Sequence, residues 1–273
     1  MCRRHGTRGS FRSGVSDGPP VTRPLRFAVL GDPVAHSKSP IIQQEALRCA
    51  GLEGEFLAIK ADEEKLVAVV EEMRAGEFDG LNVTMPLKEI AAGLVGQTGA
   101  INALRCKDSV IEGMSTDTEA FRDILDGPGF RGVDNVLILG AGGSALSALA
   151  AISDKHVYLS ARNESRVSEV VASHDNVMAV PWRSAVAGAI LINCTPLGMS
   201  DEDLPRLVVD VAGALIDLPY GPPETPSVGR ALRAGISVVD GYEFLARQAA
   251  ASFKWWTGVA VDFGPLAEIA RNV

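Results

Sequence analysis

Apolar and polar positions fall into short blocks along this chain. Arg26-Phe27-Ala28-Val29-Leu30 is a compact apolar run closed by Gly31-Asp32-Pro33, the pattern of a buried strand ending in a turn. Pro40 to Ala50 has helical spacing and ends near Gly51. Gly54 to Lys60 reads as a second strand, and Asp62 to Ala75 as an amphipathic helix stopped by Gly76. A strand over Gly80–Thr84 leads into a helix from Pro86 to about Val95, with Pro86 suited to its first turn. Ala100 to Glu112 reads as extended segments around a turn, and Thr118 to Leu125 as a helix. This alternation of strand and helix predicts a mainly parallel, open α/β sheet.

A second unit starts at Val133. Asn135-Val136-Leu137-Ile138-Leu139 is a strongly apolar strand that runs through Gly140-Ala141-Gly142-Gly143-Ser144-Ala145 into an Ala/Leu-rich helix to Ile152. Further strands follow at His156–Ser160, Ala189–Cys194, Ala214–Asp217 and Ser237–Asp240. That spacing is the one of a doubly wound nucleotide-binding domain. Helical pattern returns from Tyr242 to Ala251 and from Pro265 to Asn272, and this tail is expected to return to the first domain. The division expected is a disordered tail over 1–24, a first domain over 25–120, a dinucleotide-binding domain over 121–241 and C-terminal helices over 242–273.

Composition narrows the partners. The chain has 273 residues, 47% hydrophobic and 22% charged, enough for one large or two medium domains with a real core. A formal net charge of −8 argues against nucleic acid or an anionic membrane as partner, while leaving room for a local basic pocket. No apolar run is long enough to span a bilayer. Cys2, Cys49, Cys106 and Cys194 are scattered without a C-x-x-C pair, which fits reduced thiols in a cytoplasmic protein better than a disulfide framework or a metal site. Met1 to Pro24 is rich in Arg, Gly, Ser and Pro and lacks the apolar middle of a secretory signal.

Gly140-x-Gly142-x-x-Ala145 lies between a clear strand and a clear helix, the context a dinucleotide fingerprint requires. Gly140 allows the tight turn, Gly142 lets backbone approach a pyrophosphate, and Ala145 keeps helix close to strand. The helix start at Ala141, Gly143 and Ser144 offers free N–H groups and a positive dipole to phosphates. About twenty residues on, an NAD site usually has a carboxylate for the ribose hydroxyls. Here the stretch Leu159-Ser160-Ala161-Arg162-Asn163-Glu164-Ser165-Arg166 ends its strand without one. Arg162 and Arg166 suit a 2′-phosphate, which favours NADP over NAD.

Asn82-Val83-Thr84-Met85-Pro86-Leu87-Lys88 concentrates amide, hydroxyl and ammonium groups at a strand-to-helix corner. Most lysines are solvated, but a lysine held there can donate hydrogen bonds and exchange a proton. His36-Ser37-Lys38-Ser39-Pro40 opens the first helix, and Ser37 and Ser39 set two hydroxyls beside free helix N–H groups, a receptor for a carboxylate. The plainer reading makes Ser39 an N-cap. Asn102 and Asp117 would each by default be a turn residue or a cap, Gln248 a solvated helix residue, and Tyr220 a half-buried ring with a wet hydroxyl.

Taken in order, the motifs resemble those of the shikimate dehydrogenase family from about Phe27 to Gly258. They are His36-Ser37-x-Ser39-Pro40, Asn82-Val83-Thr84-x-Pro86-x-Lys88, Gly99-Ala100-x-Asn102, Thr116-Asp117, Gly140-x-Gly142-Gly143, Asn193-x-Thr195-Pro196-x-Gly198-Met199, Asp217-x-x-Tyr220 and Gln248-Ala249. The resemblance implies a catalytic pair at Lys88 and Asp117, with Ser37, Ser39, Thr84, Asn102, Tyr220 and Gln248 around the carboxylate and hydroxyls of the substrate. The first domain would then bind substrate, and Thr195 and Gly241 would complete the cofactor set. The implied reaction is the reversible, NADP-dependent reduction of 3-dehydroshikimate to shikimate, a step of aromatic amino acid biosynthesis, in a monomer or homodimer. The chain departs from the family pattern at Gln43, Ala103, Ser115, Ala120, Ala161-Arg162-Asn163 and Phe244. Three other readings compete. The first is a paralogue acting on quinate or an aminoshikimate with NADP or NAD. The second is a non-catalytic nucleotide-binding protein, which would need neither Lys88 nor Asp117. The third is a methylene-tetrahydrofolate-type dehydrogenase, against which the Ser37/Ser39 pair speaks.

Overall fold

The computed structural model describes residues 23–200, 202–221 and 224–272. The tail expected over 1–24 lies outside these residues apart from Arg23 and Pro24, and so does Cys2. The N-terminal half runs β1 (Leu25–Gly31), α1 (Ser39–Ala50), β2 (Gly54–Lys60), α2 (Glu63–Arg74), β3 (Gly80–Val83), α3 (Lys88–Leu94), β4 (Ala103–Lys107), β5 (Val110–Met114) and α4 (Thr116–Leu125). Then come β6 (Asn135–Leu139), α5 (Gly143–Ala151), β7 (His156–Ser160), α6 (Glu164–Ala172), β8 (Val177–Ala179) and β9 (Ile190–Asn193). The chain closes with α7 (Arg206–Asp210), β10 (Ala214–Asp217), α8 (Pro226–Arg233), β11 (Ser237–Val239), α9 (Gly241–Thr257) and α10 (Phe263–Arg271).

The first sheet has the order β2-β1-β3-β4-β5. Its β2, β1 and β3 are parallel, and β4 and β5 form an antiparallel hairpin. Asp108 and Ser109 take the positive φ values of 51° and 63° that a tight hairpin turn demands. The second sheet, β11-β10-β9-β6-β7-β8, is parallel throughout. Counted from β6 its strand order is the 3-2-1-4-5-6 of a doubly wound nucleotide fold. The order reverses between β6 and β9, so the crevice of that sheet opens beside Gly140 and Asn193.

Both sheets are covered on two faces. α2 and α3 pack Leu66, Val69, Met73 and Ala91 against Leu30, Leu81 and Val83 on one side of the first sheet. The other side meets α1, α9 and α10, where Phe27, Val29, Ile42 and Leu47 touch Tyr242, Ala246, Phe253 and Leu266. Trp256, near the end of α9, stacks on Phe27 at 4.9 Å and donates to the Leu104 carbonyl. The start of α9 also reaches α4, with the Phe244 ring 4.6 Å from that of Phe121. This one helix therefore touches both halves of the molecule.

Several boundaries differ from the sequence pattern. The Met85–Pro86 bond is cis, and Pro86 lies in a turn before α3. The expected helix thus starts at Lys88. α4 starts at Thr116 because Ser115 caps it, accepting from the Thr118 N–H. α9 runs past Ala251 to Thr257 and stops at Gly258 in the left-handed conformation. No helix among the described residues is long and apolar enough to cross a membrane. No disulfide joins Cys49, Cys106 and Cys194.

Candidate active site

Lys88 is the first residue of α3, and its ammonium reaches across to Asp117 in the first turn of α4. The pair is well sheltered, with side chains 15% and 6% exposed. Asp117 is therefore not the cap its position suggested, since Ser115 does the capping. One carboxylate oxygen of Asp117 accepts from Lys88 and the other from Asn102 Nδ2 at 3.0 Å. Asn102 in turn takes the Thr116 N–H at 2.7 Å on its carbonyl oxygen. Main-chain bonds pin this loop, with Val83 N–H donating to the Asn102 carbonyl and Ile101 N–H to the Lys88 carbonyl. The ion pair is thus fixed from β3, α3, α4 and the loop before β4.

A cavity of 210 Å³ opens over the pair. Ser37, Ser39, Thr84, Asn102, Tyr220 and Gln248 all line it with Lys88 and Asp117. Ser39 is not an N-cap; Lys38 holds that position without a side-chain cap bond, and Ser37 Oγ accepts the Ser39 N–H. Gln248 is buried rather than solvated, and its carbonyl oxygen accepts from Thr116 Oγ1 at 3.2 Å. Burial holds the Tyr220 hydroxyl above its ordinary range, with Tyr242 adding to the shift. Asn82 lines the same cavity: its Nδ2 donates to the Asn102 carbonyl, while its buried Oδ1 has no partner. An unpaired acceptor buried beside a polar cavity leaves a hydrogen bond unmade there. The sequence alone does not mark Asn82 as a site residue, because a polar residue alternating in a strand looks like an outward-facing one.

A second cleft, of 400 Å³, lies at the glycine loop. Gly140, Ala141, Gly142, Arg162, Arg166 and Thr195 line it, with Trp182 and Glu89. Gly140 has φ of +109° and meets the Cys194 carbonyl so closely that a Cβ would come within 3.0 Å of it. A Cβ on Gly142 would meet nothing within 4 Å, so backbone there faces open space, as a phosphate cradle needs. Gly143 and Ser144 line a third recess, of 290 Å³, beside Lys88. Ala145 is buried in the core under α5. Gly241 lines the cavity over Lys88 rather than the cleft at the glycine loop. β7 ends on Ser160, whose hydroxyl bonds the Pro181 carbonyl, so no carboxylate waits for ribose hydroxyls. Trp182 went unnoticed in the sequence, where no pattern marks a single aromatic in a loop.

Comparison with known proteins agrees with this arrangement. Residues 29–104 match the model of the shikimate dehydrogenase substrate binding domain. Shikimate dehydrogenase (NADP+) of Thermus thermophilus is 34% identical over 260 residues, covering 91% of this chain and 98% of that protein. The chain belongs to the shikimate dehydrogenase family. The family member of the same name from Archaeoglobus fulgidus is 32% identical over 263 residues, 90% of this chain and 97% of that protein. The crystal structure of shikimate 5-dehydrogenase from Thermus thermophilus in complex with NADP(H) and shikimate superposes with a TM-score of 0.78. It is 33% identical, over 91% of this chain and 99% of that one.

The departures from the shikimate dehydrogenase pattern have visible consequences. Gln43 is buried and ties α1 to α9, donating to the Ala249 carbonyl and Ser252 Oγ. Ser115 adds to its capping a bond to Ser147 on α5. Ala103 and Ala120 are buried and present no polar group. Phe244 lines the cavity over Lys88, held there by Phe121.

Proposed function

We propose that this chain catalyses the reversible, NADP-dependent reduction of 3-dehydroshikimate to shikimate, with Lys88 and Asp117 as its catalytic pair. The observation that carries the reading is the shared cavity: a sheltered Lys88–Asp117 pair faces Ser37, Ser39, Thr84, Asn102, Tyr220 and Gln248, next to a glycine loop. The relatives' names and the shikimate in the Thermus thermophilus crystal structure support the same substrate.

The residues of the second cleft fit NADP. The open backbone at Gly142 suits the pyrophosphate, Thr195 faces the same cleft, and Arg162 and Arg166 suit a 2′-phosphate. When bound, the cofactor supplies or accepts the hydride. Ser37 and Ser39 hold the substrate carboxylate by hydroxyl and helix N–H donors. Asn82 and Thr84 face its hydroxyls. As the ketone oxygen gains negative charge, Lys88 Nζ donates its hydrogen bond and then its proton to that oxygen. Asp117 keeps Lys88 aimed and accepts from the neighbouring hydroxyl. In the direction of oxidation Lys88 takes the proton back along the same path.

Residues 25–120 form the substrate domain in this reading and 121–241 the cofactor domain, with 242–273 closing on the first. The occupants are small molecules, and the location proposed is cytoplasmic. Initial rates with shikimate and quinate, each with NADP+ and NAD+, test the assignment. Shikimate with NADP+ is expected to be fastest; a faster rate with quinate or with NAD+ would reassign substrate or cofactor.

A further inference from the structure

One of the two arginines in the cofactor cleft is already engaged by an anion from the opposite half of the molecule. Arg162 is exposed and has no side-chain partner among the described residues. Arg166, on α6, bonds Glu89 Oε2 at 2.8 Å and Glu169 Oε2 at 3.1 Å, with a longer contact of 3.4 Å to the Ala141 carbonyl. Glu169 belongs to the same helix as Arg166. Glu89 belongs to α3, directly after Lys88, and lines the cleft from the other side. The Glu89–Arg166 pair therefore bridges the two halves across the space where a dinucleotide would lie.

We propose that Glu89 competes with the 2′-phosphate of the cofactor for Arg166 and so limits the preference for NADP over NAD. The proposal rests on the reading of Arg162 and Arg166 as the 2′-phosphate site. A guanidinium fork holds a carboxylate and a phosphate in the same way. A phosphate arriving at Arg166 must displace Glu89, and the displaced carboxylate then repels it at close range. The cost falls on NADP alone, because NAD brings no group to that position. Glu89 is 52% exposed and free to swing out, so the exchange needs no repacking of the core.

The test uses the full chain and its Glu89→Gln variant. Dissociation constants for NADP+ and NAD+ are measured by calorimetry, or by tryptophan fluorescence, since Trp182 lines the cleft. The pair 2′,5′-ADP and 5′-AMP repeats the comparison without the nicotinamide half. Glu89→Gln is expected to bind NADP+ and 2′,5′-ADP about two- to fivefold more tightly, the range of a half-exposed ion pair, and to leave NAD+ and 5′-AMP unchanged. High salt should narrow the gap between parent and variant. Equal tightening of NAD+, or unchanged or weaker NADP+ binding in Glu89→Gln, would overturn the competition while leaving the cofactor reading intact. Binding of 2′,5′-ADP no tighter than 5′-AMP in both the parent and Glu89→Gln would overturn both.

Discussion

At the scale of residues, the chemistry depends on a lysine held by its neighbours rather than by its own helix. Lys88 meets Asp117, Asp117 meets Asn102, and Gly143, having no side chain, leaves room for the lysine stem. A Cβ at Gly143 would lie 3.3 Å from Lys88 Cδ and 3.5 Å from Ala100 Cβ. Gly143→Ala should therefore push the ammonium off line and lower kcat about 10- to 100-fold, with NADP+ affinity nearly kept, which kinetics and a binding titration check together. Asp117→Asn removes the charge that aims Lys88 and should lower kcat on the order of 100-fold with KM less affected. These contacts also show what the sequence withheld. Asp117 and Gln248 looked like a cap and a solvated residue because each has a default role at its position. Only the fold, by giving the cap to Ser115 and turning Gln248 inward, frees both for the cavity.

At the scale of elements, α9 joins the halves, and its far end depends on one small residue. A Cβ on Gly80, at the start of β3, would come within 2.5 Å of the Trp256 indole. Trp256 stacks on Phe27 and donates to Leu104, so it has little room to yield. Gly80→Ala should destabilise the chain by about 1–3 kcal/mol, read from urea unfolding, because overpacking forces side chains and backbone to shift. Strands β1, β6, β7 and β10 were legible as short apolar runs, and α1 and α2 as periodic stretches with clear stops. No pattern in the sequence marked α6, β8, α7 and α8. β8 and α7 are short, and Met178 of β8 and Leu207 of α7 are exposed, so their apolar pattern is broken. The turn at Met85–Pro86 was misjudged because proline fits a first helical turn as readily as the bend before it.

At the scale of the molecule, two sheets meet around one cleft, and buried charge at the strand ends makes stability depend on pH. Asp217 ends β10, fully buried, accepting from Thr225 Oγ1 and Asn193 Nδ2. Burial pushes its carboxyl up to about 6; the bonds from Thr225 and Asn193 pull the other way, and Asp203 and Asp240 add to the rise. The native molecule therefore holds this proton more tightly than the unfolded chain does. Its contribution to stability is full below about pH 4 and is lost as pH rises through about 6. The advantage of the parent over Asp217→Asn should be larger at pH 4.5 than at pH 7.5, by about 1–3 kcal/mol in urea unfolding. The two-unit layout was legible because each unit repeats strand and helix, and the ordered motifs named the family. The cleft between the units was not, since it is made by residues such as Glu89 and Arg166 that are far apart in the chain. The measurement that bears most directly on the whole account is turnover of shikimate with NADP+ by the parent chain and by Lys88→Ala. The account predicts a loss of several orders of magnitude in kcat with an unchanged circular dichroism spectrum. Near-normal turnover by Lys88→Ala would contradict it.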